Sequence, residues 1–248
     1  MQSSPSREAE LRALIAKPFA HRGLHGAAAP ENSRAAFEAA IEARHGIELD
    51  VQASGDGQAM VFHDEELGRL TVEPHGYIRG RAAADLTRIR LRESDETIPT
   101  LPDILTLIAG RAPLLIEVKA PGREVGALSR AVEAALKDYI GPVAVMSFNP
   151  EVGHWFARHA PGRLRGLVVT EKGRKWRGGL ARRLALWRSK ADFLAYDIRD
   201  LPSRFAEGAR RKALRVLTWT VRSVTDRARA AEHADQIIYE VEGMFRIA

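Results

Sequence analysis

Two stretches of the sequence place acids where an α/β fold should bury hydrocarbon. In Ile47-Glu48-Leu49-Asp50-Val51, apolar and acidic residues alternate. Successive side chains along a strand point to opposite faces, so Ile47, Leu49 and Val51 share one face while Glu48 and Asp50 share the other. In Leu114-Leu115-Ile116-Glu117-Val118-Lys119, an apolar run leads to Glu117 and Lys119 on one face. If Glu48, Asp50 and Glu117 converge within about 5 Å, each like-charge pair costs roughly 3 kcal/mol at an effective dielectric near 20. Three such pairs require that one acid take a proton or that a cation sit among them. The donors are all oxygens, because the chain has no cysteine and no HExxH pair. Such a set suits a hard cation, Mg²⁺ or Ca²⁺, rather than Zn²⁺. Two more apolar runs end in ionisable residues, Ala20-His21-Arg22-Gly23 and Val61-Phe62-His63-Asp64. Separate salt bridges to Arg22 and Lys119 are the plain alternative. They account for one acid more easily than for three acids and two strand-end histidines. The other six histidines (His25, His45, His75, His154, His159 and His233) have no such setting and read as surface or core residues.

The elements that must carry these groups follow from periodicity. Nine short apolar runs recur, at 18–20, 47–51, 59–62, 114–118, 143–148, 164–169, 193–196, 216–221 and 236–239. Several of the intervening segments show apolar spacing of three or four, as in Phe37, Ala40 and Ile41, or Val125, Leu128, Val132 and Leu136. Asn32 or Ser33 is placed to cap the first of these helices and Gly46 to close it. Thr100 with Asp103 has the form of a capping box. Strands alternating with helices imply a parallel sheet. At 248 residues and about eight units, a TIM-type (β/α)8 barrel is expected. No glycine-rich dinucleotide or P-loop fingerprint favours an open sheet instead. Nine strands are one too many for that barrel. Only residues 52–58 separate the second run from the third, too few for a parallel crossover, so 47–63 is expected to form a β-hairpin. No linker or repeat interrupts the chain. It reads as one domain over 1–248, with 1–17 as an N-terminal extension or helix. The span between His63 and Glu117 is too short for a sizeable insertion domain. Residues at the carboxyl ends of barrel strands are the usual site-builders, which is where the acids and histidines fall.

Composition narrows the function classes. Hydrophobic residues make up 45% and charged residues 28%, which is globular. The absence of cysteine removes a disulfide scaffold and thiolate chemistry. The longest uncharged run, 139–150, is too short to span a membrane, and residues 1–17 hold no apolar signal core. A cytoplasmic location is the resulting expectation. Formal net charge is +6, yet the nineteen residues between Lys172 and Lys190, ends included, hold eight basic side chains and no acid. The basicity therefore belongs to one segment. The simplest expectation there is a surface helix whose Leu180, Leu184 and Trp187 pack inward. The rival is peripheral contact with an anionic membrane. A nucleic-acid patch ranks behind both.

These motifs closely resemble the glycerophosphodiester phosphodiesterase family, a barrel family related to phospholipase C-like phosphodiesterases. The resemblance rests on His21-Arg22-Gly23, Pro30-Glu31-Asn32-Ser33, Glu48-Leu49-Asp50-Val51, Asp56-Gly57, and His63-Asp64 followed by Leu67, Arg69 and Thr71. It continues through Pro99-Thr100-Leu101, Ile116-Glu117-Val118-Lys119, Ser147-Phe148-Asn149 and Trp219-Thr220-Val221, covering roughly residues 19–240. It implies that His21 and His63 are the general acid and base. It implies that Glu48, Asp50 and Glu117 hold a divalent cation and that Arg22 and Lys119 contact the phosphate. Trp219 divides between barrel core and a wall of the substrate pocket. Glu31 and Asp64 read as positioning residues. The implied reaction is hydrolysis of a glycerophosphodiester to glycerol phosphate and an alcohol. Two rivals remain open: lysophospholipase D-type hydrolysis at a membrane interface, and a non-catalytic binding barrel. The chain departs from the family pattern at Arg222, where many members have Asn, and at Glu240 in the last strand end.

Overall fold

The computed structural model describes residues 5–27, 29–172 and 178–240. Among them lie nine strands: β1 (Phe19–His21), β2 (Gly46–Ala53), β3 (Ala59–Val61), β4 (Leu114–Val118), β5 (Val143–Ser147), β6 (Leu164–Val169), β7 (Phe193–Asp197), β8 (Arg215–Val221) and β9 (Gln236–Tyr239). Eight of these are parallel, in the order β1-β9-β8-β7-β6-β5-β4-β2, and β1 pairs with β2 to close the cylinder. The surplus strand is β3. It runs antiparallel to β2, with Val51 opposite Val61, and lies outside the barrel count. The expected hairpin and the expected eightfold barrel are both present.

The nine α-helices among the described residues are α1 (Pro5–Leu14), α2 (Arg34–Glu42), α3 (Ala83–Leu86), α4 (Leu101–Ile108), α5 (Gly126–Leu136), α6 (Pro150–His159), α7 (Gly178–Ser189), α8 (Arg204–Arg210) and α9 (Val224–His233). Their starts are chemically marked. The Ser33 hydroxyl accepts from Ala36 N at the head of α2, and Thr100 with Asp103 forms a capping box on α4. Gly46 does not close α2, as its position suggested. That helix ends at Glu42, and Gly46 opens β2, where a Cβ would stand 2.6 Å from the Phe19 ring.

Strand alternation sorts the core into two shells. Ile47, Leu49, Val51, Leu114, Ile116 and Val118 face outward and pack under the helices with Phe37, Ile104, Leu128 and Val132. Inside the cylinder, Phe19, Leu115, Ala144, Leu164, Phe193 and Leu217 form a second cluster with Leu11, Leu14 and Ile15. Here α1 acts as a floor. It is tied to the strand starts by Arg7 with Asp192, at 2.6 Å, and by Arg215 with Glu8, at 2.8 Å. The N-terminal segment is thus a structural part of the barrel. The return from β3 to α4 packs around its own cluster of Met60, Phe62, Leu67, Ile78, Leu86 and Ile98. It adds no separate domain.

One expectation fails on α7. Leu180, Leu184 and Trp187 are 69%, 57% and 74% exposed, so they do not pack inward. The inward face consists of Gly178, Ala185, Leu186 and Ser189 instead. At Ser189 α7 approaches α6 so closely that a Cβ on Gly153 would lie 2.7 Å from the Ser189 carbonyl oxygen. Residues 173–177 of the basic segment, Trp176 among them, lie outside the described residues.

Candidate active site

At the carboxyl ends of the strands the interior turns from hydrocarbon to charge. Leu115 on β4 is succeeded two residues later by Glu117, and on β2 the inward positions are Gly46, Glu48 and Asp50. Register brings the acids level, with Asp50 opposite Glu117 and His21 opposite Glu48. Glu48 and Asp50 are each 1% exposed. One oxygen from each of Glu48, Asp50 and Glu117 lies within 4.8 Å of the others. The convergence inferred from strand alternation is therefore real.

Such crowding needs compensation, and part of it is supplied by protein cations. Lys119 Nζ stands 3.1 Å from Asp50 Oδ1 and 2.9 Å from Glu117 Oε1. Arg22 Nε lies 3.2 Å from Asp50 Oδ2, and the Arg22 backbone N–H donates to Glu48 Oε2 at 3.1 Å. Asn32 Nδ2 donates to Asp50 Oδ2 at 3.0 Å. Both Arg22 and Asn32 have positive φ, 57° and 58°, so the loop between β1 and α2 turns tightly enough to aim both at β2. The compensation is uneven. Burial opposes ionisation of Asp50, but Lys119 and Arg22 outweigh it and hold the group down to about 2. Glu48 is pushed well above the ordinary carboxyl range, first by burial and then by Asp50 and Glu117. Three buried carboxylates this close form a group that could hold a cation. The donor set fits a divalent ion of the Mg²⁺ or Ca²⁺ kind. Arg22 Nε is buried against Asp50 without a well-aligned hydrogen bond, and the Arg22 side chain lines the cavity.

The two histidines are held in the same way. His21 Nδ1 lies 2.6 Å from Glu240 Oε1, and His63 Nδ1 lies 2.6 Å from Asp64 Oδ1. Each carboxylate is itself clamped by arginine. Arg222 forks onto Glu240 at 2.6 and 2.9 Å, and Arg69 forks onto Asp64. Burial raises both carboxyls, but the histidine and arginine contacts overcome it and set Glu240 and Asp64 far below their usual range. An ionised carboxylate only accepts, so each imidazole must carry its hydrogen on Nδ1 and turn Nε2 elsewhere. For His21 that nitrogen is 3.9 Å from Glu48 Oε2. Glu31 ties the two halves together, accepting from Arg22 at 2.7 Å and from Arg69 at 2.8 and 2.9 Å. The placements expected of Glu31 and Asp64 hold. His63 reaches the site from the expected hairpin. It follows the returning strand β3, where Phe62 N donates to Asp50 O, and so does not cap a parallel barrel strand.

His21, Arg22, Glu48, Asp50, His63, Glu117, Lys119 and Trp219 all line one cavity of about 320 Å³. Met146, Phe148, Val168 and Ile238 add apolar lining, and Asp197, Arg199, Arg222 and Asp226 add further charge. Trp219 belongs to both settings considered for it. Its indole donates to the Ala195 carbonyl at 2.9 Å within the barrel, and its ring meets Phe148 edge-on at 5.5 Å in the cavity wall. Sequence reasoning missed the role of Glu240. The signal was present, since an acid directly follows an apolar strand, as at His21. The two departures, Arg222 and Glu240, turn out to bind each other.

Fold and site together define a (β/α)8-barrel enzyme with an acid-rich, histidine-flanked cavity at its mouth. Residues 21–246 match the glycerophosphoryl diester phosphodiesterase family. The chain belongs to this family of phosphodiesterases. It is 29% identical over 217 residues to the glycerophosphodiester phosphodiesterase of Caldanaerobacter subterraneus subsp. tengcongensis, covering 82% of this chain and 84% of that one. It is 38% identical over 112 residues to the glycerophosphodiester phosphodiesterase of Bacillus altitudinis, covering 42% of this chain and 45% of the relative. Among solved structures, an Oleispira antarctica phosphodiesterase in complex with its product sn-glycerol-3-phosphate shares the fold. The TM-score is 0.80 at 24% identity, over 93% of this chain and 95% of that one.

Proposed function

We propose that the protein hydrolyses glycerophosphodiesters to glycerol phosphate and an alcohol, by histidine acid–base catalysis with a divalent cation, Mg²⁺ or Ca²⁺. The observation that carries this reading is the convergence of Glu48, Asp50 and Glu117 beside two histidines whose Nδ1 atoms are both engaged by carboxylates. A diester phosphate is anionic and gains charge on its non-bridging oxygens in the transition state. Glu48, Asp50 and Glu117 would hold the cation, which supplies charge neutralisation there. Arg22 and Lys119 bind the same oxygens from the protein side. His21 and His63 present Nε2 toward the reaction. One takes the proton of the attacking oxygen and the other protonates the leaving alkoxide, each step supplying about 10²–10⁴-fold. The attacking oxygen comes from water or from the diester's neighbouring hydroxyl. Trp219 and Phe148 give the glycerol or alcohol carbons an apolar wall.

The relative solved with sn-glycerol-3-phosphate supports the product class. Among the described residues, no helix is long and apolar enough to cross a membrane. A second reading, lysophospholipase D-type hydrolysis, draws on the exposed apolar stripe of α7. A panel of glycerophosphocholine, lysophosphatidylcholine and bis-p-nitrophenyl phosphate decides between them. The panel is run with EDTA and with each metal restored. Cation-restored turnover of the deacylated diester, lost in His63→Ala, is expected. Preference for the micellar lipid would favour the second reading. No turnover of any diester would leave a binding barrel.

A further inference from the structure

We propose that the outward face of α7 is a docking surface for bilayers with anionic head groups. Leu180, Leu184 and Trp187 stand at i, i+4 and i+7 and therefore form one stripe along the helix. Elsewhere among the described residues, large exposed apolar side chains are scattered singly, at Val72, Tyr77, Ile140, Phe148 and Val224. Three on one helical face is a patch of the kind that marks a contact site.

The stripe is turned outward by construction. Gly178, Ala185 and Ser189 occupy the barrel side, and Gly153 on α6 meets Ser189 with no room for a side chain. Leu186 also packs against the core, while Leu180, Leu184 and Trp187 stay on the solvent side. The cations divide in the same sense. Arg182 is drawn inward to Glu171 at 3.1 Å and Arg188 to Glu151 at 2.7 Å. Arg183 and Lys190 stay exposed and make no ion pair among the described residues. At 100° per residue both fall on one flank of the stripe. Apolar residues with an indole at one end and cations along the edge match an interface of acyl boundary and anionic phosphate.

Charge also selects the occupant. Between Lys172 and Lys190 there are eight basic residues and no acid. A second copy of the chain docking through the same face would set the exposed Arg183 and Lys190 against their own copies, whereas an anionic bilayer neutralises them. Because α7 follows β6, its Leu180 end lies at the mouth side of the barrel, so the docked enzyme holds its cavity rim beside the lipid. The contact concerns the barrel wall, and it stands or falls apart from the chemistry in the cavity.

Vesicle co-sedimentation of the full chain tests it, with phosphatidylcholine alone and with phosphatidylcholine plus phosphatidylglycerol, at low and high salt. Binding is expected only to the anionic vesicles, and salt should weaken it. Trp187→Ser with Leu184→Ser, and separately Arg183→Glu with Lys190→Glu, should each lower partitioning at least about tenfold. Turnover of a water-soluble diester and the thermal midpoint, both unchanged, would show that these variants remain folded. Equal binding to neutral and anionic vesicles would overturn the proposal, and so would no binding to either. A concentration-dependent dimer abolished by Trp187→Ser would reassign the face to self-association. Equal binding to soluble polyglutamate would reassign it to an acidic polypeptide.

Discussion

His21 owes its orientation in the cavity to a carboxylate behind it, Glu240. It accepts from His21 and is gripped by Arg222, so the imidazole keeps one tautomer and one orientation. In Glu240→Gln the amide offers an N–H to Nδ1 as readily as an oxygen, and the tautomer is no longer imposed. With His21 as acid or base, kcat should fall by about 10²-fold, bounded by the ~10⁴-fold such a histidine supplies. KM should change little, because Glu240 accepts from His21 and Arg222 and is not among the groups lining the cavity. Steady-state kinetics on a soluble diester measure both constants, and a kcat within twofold of the parent would show that Glu240 does not position His21.

Glu48 gives the opposite sign. Burial, and then Asp50 and Glu117, raise its folded pKa above the unfolded value. Folding therefore favours the protonated form. The contribution is fully present below the unfolded value near 4.3 and is lost as pH rises through the folded pKa. A cation among the three carboxylates removes that loss by displacing the proton. Millimolar Mg²⁺ or Ca²⁺ should raise the thermal midpoint at about pH 8, and the rise should shrink toward pH 5. In Glu48→Gln the cation-dependent rise should vanish, while the midpoint without cation holds or increases. Thermal melts at the two pH values read this directly. The same cation effect in parent and variant would put the ion elsewhere.

At the scale of elements, what was legible depended on how local the signal was. Alternation in Ile47-Glu48-Leu49-Asp50-Val51 revealed which way the acids point, because a strand's period is two regardless of its neighbours. The short connection to β3 excluded a parallel crossover for the same reason. The capping box at Thr100 was equally local. Gly46 misled because a glycine after a helix and a glycine beneath an aromatic ring are identical in sequence. The Phe19 ring that requires it lies 27 residues upstream. On α7 a 3.6-residue stripe was legible, but its direction was not. Inward burial is the usual outcome for such a stripe. Here the opposite face, with Leu186 and Ser189, packs inward, through a contact of Ser189 with Gly153 that no local pattern encodes. Glu240 escaped because its partner His21 is 219 residues away. The motif resemblance supplied the pairing of His21 with His63, which strand logic alone had placed on equivalent strand ends.

For the molecule as a whole, the cylinder is sealed at one end and open at the other, and the two ends carry different burdens. Leu11, Leu14 and Ile15 fill the end where the strands begin, against Phe19, Phe193 and Leu217. The charged cavity occupies the end where they finish. Stability and chemistry are thereby separated along the barrel axis. Leu14 is fully buried, at 0% exposure, so Leu14→Ala removes hydrocarbon from a site the surrounding strands cannot collapse into. The cost should fall in the range of about 2–5 kcal/mol for such truncations. Urea unfolding should show it as a lower midpoint with an unchanged slope. At low temperature, where the variant remains folded, kcat/KM on a soluble diester should match the parent, since Leu14 is not among the residues lining the cavity. A loss of activity without a loss of stability would mean that the floor and the mouth are coupled through the barrel interior, and that α1 sets the height at which Phe19 and His21 present β1 to the site.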